Sequence, residues 1–280
     1  MSKTQSDDLF YLSFANVACG VQAPPEWQKY FVKFYTSTQL LQYSTTRPQC
    51  KRYATVTIHA SQSRHVRLTL MTRASLLEYD IYASNDPLFL FPSVHQFIAR
   101  IFNILFHLAG GFVLHASAVF VENKALIFAG ESGRGKSTIV DMIHEHIPNS
   151  YILSDNSVFI QQQGKQFVMY PSPYLEANRI HKARSMPPIS PPYPVQEVYF
   201  PFHAKENRVT PVSFVEATQL IQRNSHIPYS PKKLFTTEEK SNFGRVIFQF
   251  IQTSSLQKLE FVKTKAFLYH IIHNEDKNSH

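Results

Sequence analysis

Gly130 through Ser137 read GESGRGKS, and that spacing can hold a phosphate. The pattern G-x-x-x-x-G-K-[ST] folds into a loop whose backbone N–H groups surround anionic oxygens, with a lysine for charge and a hydroxyl for a metal. The chain has 8 glycines in 280 residues, yet Gly130, Gly133 and Gly135 fall within six positions of one another. Glycine there lets the chain turn tightly and leaves no Cβ between backbone and ligand. On this reading Gly130, Glu131, Ser132, Gly133, Arg134, Gly135, Lys136, Ser137 and Thr138 form one binding segment, with Ser137 as a magnesium ligand. Arg134 either reaches a phosphate or faces solvent, and spacing does not choose between these.

A second candidate is Asp155. Tyr151–Leu153 and Val158–Ile160 are apolar triplets separated by Ser154, Asp155, Asn156 and Ser157. A carboxylate set inside a strand is costly to bury unless a metal or a partner compensates it, so Asp155 reads as functional. His115, on the apolar run FVLHASAVFV, is by residue type alone an ordinary strand histidine. His144, Glu145 and His146 do not form a metal cluster, because adjacent helix positions face different ways. A histidine in the last helical turn is explained by the helix dipole.

The elements around the loop decide whether the pattern is more than a surface turn. Ala125–Ala129 is a short apolar run that predicts a buried strand, and Lys136–Ile147 carries Ile139, Val140, Ile143 and Ile147 at helical spacing before Pro148 stops it. Strand, loop and helix follow in the order that phosphate binding requires. Upstream, residues 112–121 predict another strand, joined to the loop strand through a turn at Glu122–Lys124; two strands so closely joined must be antiparallel neighbours.

Composition narrows the class. The chain is 44% hydrophobic and 14% aromatic, enough for one large core or two modest ones. Cys19 and Cys50 make neither a metal pattern nor a disulfide framework, which fits a reducing cytoplasm. The opening MSKTQSDD lacks the basic and apolar regions of an export signal. Residues 94–109 are apolar but interrupted by His95, Gln96, Arg100, Asn103 and His107, so they predict a core helix, capped by Ser93 and Gly110, rather than a membrane span. The net charge of +8 suits an anionic partner such as a nucleotide, and no nucleic-acid motif accompanies it.

Strands are expected over 52–59, 66–72 and 75–82. From Pro171 to Pro211 the chain carries 9 of its 17 prolines, with Arg179, His181, Lys182, Arg184, Lys205 and Arg208 among them, and predicts a long irregular lid. Ser213 with Glu216 signals a helix through Ile221, Leu256–Phe261 a strand, and Lys265–Ile272 a last helix.

The order HASAV, polar turn, ALIFAGESGRGKST and an apolar strand carrying SDN resembles the HPr serine kinase/phosphorylase family and its HPr-kinase-related bacterial relatives. The likeness covers about 112–160, with a looser one in PVSFVEATQLI and LQKLEFVKTKAFLYHII. It implies a nucleotide-binding fold like that of phosphoenolpyruvate carboxykinase, with ATP and Mg²⁺ as cofactors. It also implies that Lys136 neutralises phosphate, that His115 is the family's strand histidine, and that Asp155 is the catalytic base. Asn156 replaces the second of two adjacent aspartates and can ligate magnesium through its amide oxygen. The family's glycine-containing segment after the aspartates is missing. LEANRI is the nearest remnant and makes Glu176 a metal-side candidate. HPr itself is therefore not the expected acceptor.

The expected architecture is α/β with α+β character. A β-rich region over 1–92 precedes a kinase-like domain over 93–275, whose mixed sheet carries the loop and flanking helices, with a lid at 171–211 and a tail at 276–280. The expected activity is ATP-dependent phosphorylation of a hydroxyl on a peptide, a protein or a small molecule, the basic lid favouring an acidic acceptor. Oligomerisation is compatible with the family. Two other readings stay open: a nucleotide-binding regulator without catalysis, and a conventional ATPase of the phosphate-loop type.

Overall fold

The computed structural model describes residues 9–38, 41–61, 67–73, 76–84, 87–172, 191–226 and 236–272. The chain divides into two compact units, Met1–Ala109 with Pro228–Glu239, and Gly110–Ile227 with Lys240–His280. Both combine a sheet with helices, and the fold class is α/β with mixed sheets.

The first unit contains β1 (Leu9–Phe14), β2 (Val17–Gln22), α1 (Pro25–Thr38), β3 (Gln42–Ser44), β4 (Arg52–Ser61), β5 (Arg67–Arg73), β6 (Leu76–Ser84) and α2 (Pro87–Leu108). Its strands run in the order β3-β1-β2-β4-β6-β5, with β2, β4 and β6 parallel. Alternation produces this: Ala54, Val56 and Ile58 are buried with Tyr79, Ile81 and Ala83, while the residues between them turn to the other face. Val94, Ile98, Ile101, Phe102 and Leu105 form the buried stripe of α2. Lys51 Nζ and Arg52 Nε donate to the last carbonyls of that helix, Ala109 O at 2.8 Å and Leu108 O at 3.0 Å, closing its C-terminal end.

The sequence places the start of α2 at Ser93 and a domain boundary at 92; the helix instead begins at Pro87 and belongs to the first unit. Pro87 supplies the φ that a first helical residue needs, and the apolar stripe then packs on β2, β4 and β6. Gly110 follows the helix at φ 85°, as its capping role requires. Among the described residues no helix is long and apolar enough to cross a membrane.

The second unit contains β7 (Gly111–Val121), β8 (Lys124–Ala129), α3 (Lys136–His146), β9 (Tyr151–Ser154), β10 (Ser157–Gln163), β11 (Gln166–Tyr170), β12 (Tyr193–His203), β13 (Arg208–Pro211) and α4 (Phe214–Asn224). It also takes most of α5 (Thr237–Thr253), then β14 (Ser255–Phe261) and α6 (Phe267–Ile272). Its sheet order is β11-β10-β7-β8-β12-β14-β13, with β9 also paired to β7. β8, β12 and β14 are parallel, and the other pairings are antiparallel. Period-two alternation sorts the side chains to two faces. Leu126 and Phe128 pack with Ile139, Val140 and Ile143 of α3 and Phe267 of α6. Ala125, Ile127 and Ala129 pack with Ile221 of α4 and Phe250 of α5.

β7 and β8 pair antiparallel through a two-residue turn, Val121 facing Lys124, with Glu122 at φ 50° and Asn123 at φ 62°. Two left-handed residues in succession give the turn whose twist matches that of the strands it joins.

The expected irregular lid over 171–211 is corrected. Residues 173–190, which include Glu176, Arg179, His181, Lys182 and Arg184, lie outside the described residues, but β12 and β13 occupy 193–203 and 208–211. β12 lies between β8 and β14 with Tyr193, Val198, Tyr199 and Phe200 buried. Its prolines stand near the two ends of the strand, Pro194 opposite Val168 of β11 and Pro201 opposite Leu259 of β14. Pairing to β8 ends at Tyr199 and Phe128, so Pro201 takes no donor from it.

Candidate functional site

β8 ends at Ala129, and the loop from Gly130 to Gly135 leads directly into α3. Gly133 and Gly135 adopt φ 82° and 88°, and Arg134 N reaches back to Glu131 O at 3.3 Å. Gly135 is confined twice over, because a Cβ there would lie 2.6 Å from the ring of Phe261 as well as demanding left-handed backbone. Around Gly133 there is open space, so only its φ calls for glycine. No side chain caps α3, and the N–H groups of Ser137 and Thr138 lie in its first turn without an intrahelical acceptor. Such a terminus attracts anions.

Lys136 is 6% exposed. Its ammonium donates to Gly130 O at 2.7 Å and Glu131 O at 2.9 Å, and lies 3.1 Å from His115 Nε2. The other ring nitrogen, Nδ1, is 3.1 Å from the carbonyl of Asn156. A carbonyl only accepts and an ammonium only donates, so Nδ1 carries the proton and Nε2 presents a lone pair to the lysine. Burial, then the charge of Lys136 and the neighbouring His226, hold His115 below the ordinary histidine range. Its ring meets that of His226 edge-on at 5.4 Å. His226 is lowered first by burial and further by Lys136, against the opposing pull of the Asn156 carbonyl. Both rings are neutral at neutral pH.

Asp155 lies at a break between two strands, not within one as the sequence predicts. β9 and β10 both pair with β7, Ser154 facing Ala118 and Ser157 facing His115, and the chain bends at Asp155–Asn156. The bend carries two carbonyls out of the regular ladder, and β7 catches both. Ser117 Oγ donates to Asp155 O at 2.7 Å, and Ala116 N donates to Asn156 O at 3.2 Å beside the His115 bond. Ser117 Oγ also lies 3.2 Å from Asp155 Oδ1. Upstream, Ser172 N donates to Ser154 Oγ at 2.7 Å.

These groups border a cavity of about 430 Å³, lined by His115, Ser132, Gly133, Gly135, Lys136, Ser137, Thr138, Asp155, Asn156, His203, Phe261 and Lys263. The fold thus brings the loop residues, His115, Asp155 and Asn156 together. Gly130 and Glu131 contribute carbonyls to Lys136 rather than cavity wall. Arg134 turns away, its guanidinium 5.1 Å from the centre of the Phe202 ring and 3.8 Å from Glu131. Ser137, Asp155 and Asn156 offer an all-oxygen donor set. That set fits Mg²⁺, which keeps several waters and takes one or two protein carboxylates beside phosphate oxygens. Among the described residues no group of three or more His, Cys, Asp or Glu side chains gathers as a metal site. His144 and His146 bind main-chain oxygens of Ser150 and Met142 through Nδ1.

Sequence reasoning missed Ser117, His203, Phe261 and Lys263. The last three stand at or just beyond the C-terminal ends of the parallel strands β12 and β14, where ligands gather in open α/β sheets. Their signal is the parallel pairing of β12 with β14, which the proline density of 171–211 conceals. Ser117 sits two residues after His115 on the same strand face, which the strand prediction already implied.

No protein-family model matches this chain, and no curated protein matches it.

Proposed function

We propose that this protein is an ATP-dependent kinase related to the HPr kinase type, transferring the terminal phosphate to a hydroxyl. The observation that carries the reading is the meeting of Lys136, Ser137 and Asp155 on one cavity at the uncapped start of α3. Phosphoryl transfer asks a protein for positioning and charge stabilisation rather than covalent chemistry, and these residues supply both.

The loop N–H groups and the first turn of α3 receive the phosphates, and Lys136 exchanges its loop carbonyls for phosphate oxygens. Ser137 and Asn156 are the residues that would hold Mg²⁺, which when bound neutralises charge on the phosphates. Asp155 accepts the proton of the acceptor hydroxyl as that oxygen bonds to the terminal phosphorus. The bond from phosphorus to the bridging oxygen breaks, and its electron pair leaves with the nucleoside diphosphate. His115 is neutral with both ring nitrogens engaged, so its part is to orient Lys136. The acceptor is a peptide, a protein or a small hydroxyl compound, and the cations Lys136 and Lys263 on the cavity wall favour one carrying negative charge.

Asn156 favours one second reading, a protein that binds nucleotide without catalysis, because an amide at that position weakens the metal site. Purified protein with labelled ATP and a cell lysate, beside Asp155→Asn and Lys136→Ala, separates the two. Transfer by the parent and loss in both variants supports the kinase. Bound nucleotide with no phosphorylated product supports the silent binder.

A further inference from the structure

Resting on the phosphoryl-transfer reading, we propose that Ser117 is a positioning residue for Asp155, setting both the bend of the chain and the direction of the carboxylate. Ser117 is fully buried on β7, so its hydroxyl has no water to exchange with and must find its partner within the protein. It finds two on one residue: Asp155 O at 2.7 Å and Asp155 Oδ1 at 3.2 Å. A hydroxyl has one proton, and Ser117 shares it between the two acceptors, chiefly with the carbonyl at 2.7 Å, which holds the backbone, and more weakly with the carboxylate at 3.2 Å, which draws the side chain to the same anchor.

Where β9 gives way to β10, this hydroxyl holds the Asp155 carbonyl to β7. Two consecutive supports on one face of β7 therefore hold the break, His115 on Asn156 O and Ser117 on Asp155 O. The first support also touches Lys136, whereas Ser117 is not among the residues lining the cavity. Its effect on chemistry runs through Asp155. A base displaced by about an ångström costs on the order of 100-fold in rate even though nothing that binds the nucleotide has changed.

The test uses the full chain as wild type, Ser117→Ala, Ser117→Thr, Ser117→Cys and Asp155→Asn. The readouts are Mg²⁺-dependent binding of a fluorescent ATP analogue, single-turnover release of phosphate from γ-labelled ATP with water as acceptor, and thermal unfolding. The expected result is nucleotide affinity within about 2-fold of wild type for Ser117→Ala, with a rate lowered about 10- to 100-fold towards that of Asp155→Asn. Ser117→Thr restores the hydroxyl and most of the rate. Ser117→Cys keeps the volume with a weaker donor and falls between the two, which covers the case in which alanine impairs folding. A Ser117→Ala or Ser117→Cys rate equal to wild type overturns the inference. So does a loss shared equally by rate and nucleotide affinity, which marks a merely structural role. A wild-type chain that neither binds nor cleaves ATP overturns the transfer reading and the role of Ser117 with it, whereas an active parent with an unaffected alanine variant overturns the role alone.

Discussion

Lys136 Nζ and His115 Nε2 lie 3.1 Å apart, and the same ammonium donates to Gly130 O and Glu131 O. The loop carbonyls and a neutral imidazole thus solvate a buried cation that would otherwise carry a large desolvation cost.

Lys136→Ala removes the charge at the centre of this arrangement. Nucleotide affinity is expected to fall about 10- to 100-fold, the range for losing a charge-assisted bond. Arg134→Ala, whose guanidinium is stacked on Phe202, is expected to change affinity by less than about 3-fold, as surface ion pairs contribute little. Titration with a fluorescent nucleotide measures both. Equal losses would show that Arg134 leaves Phe202 to engage the phosphates.

Gly133 and Gly135 share positive φ but differ in surroundings. Gly133→Ala is expected to cost about 1 kcal/mol, the backbone penalty alone, whereas Gly135→Ala adds a clash with the Phe261 ring and should cost about 2–4 kcal/mol. Denaturant unfolding of the two variants decides this. Equal costs would mean that Phe261 does not pack against Gly135 as described.

Burial on α2 lowers the pKa of His95, and His115 and His226 are lowered likewise. A depressed folded-state pKa means that the unfolded chain binds the proton more readily, so stability is full above the unfolded histidine value, near 6.5. It is lost as pH falls from there through the folded value. Unfolding followed from pH 8 to pH 5 should show this decline, and His95→Gln should flatten part of it. A His95→Gln curve parallel to the parent would refute the contribution of His95.

The turn between β7 and β8 holds Glu122 and Asn123 at positive φ, where Asn followed by Gly is preferred. Replacing the pair, Glu122→Asn with Asn123→Gly, should raise stability by about 0.5–1 kcal/mol without moving nucleotide affinity. A drop in the unfolding midpoint would contradict the turn geometry.

Much of the fold was legible because its signals are local. The strand at 124–129, the helix from Lys136 and the strands near 52–61, 67–73 and 76–84 follow from spacing and β-branched or aromatic content within a few residues. Ser213, whose Oγ accepts from Glu216 N at 3.3 Å, marked α4 for the same reason. Proline density misled at β12, because the rule against strand prolines counts residues and cannot tell which N–H groups the neighbouring strand will need. β1, β2, α1 and α5 carried no pattern strong enough to be assigned.

By itself the sequence determined the glycine loop, its strand and helix, and the hairpin before it, since each is a matter of φ, spacing and hydrogen bonds among near neighbours. Only the tertiary structure decided what faces the loop. Phe261 and Lys263 lie more than 120 positions from Gly135 and His203 nearly 70, yet parallel pairing of β8, β12 and β14 lines them up on one cavity. Asp155 depends on the same kind of information. Whether its carboxylate meets the loop rests on the register of β9 and β10 against β7, and on a buried serine whose hydroxyl that register sets against Asp155.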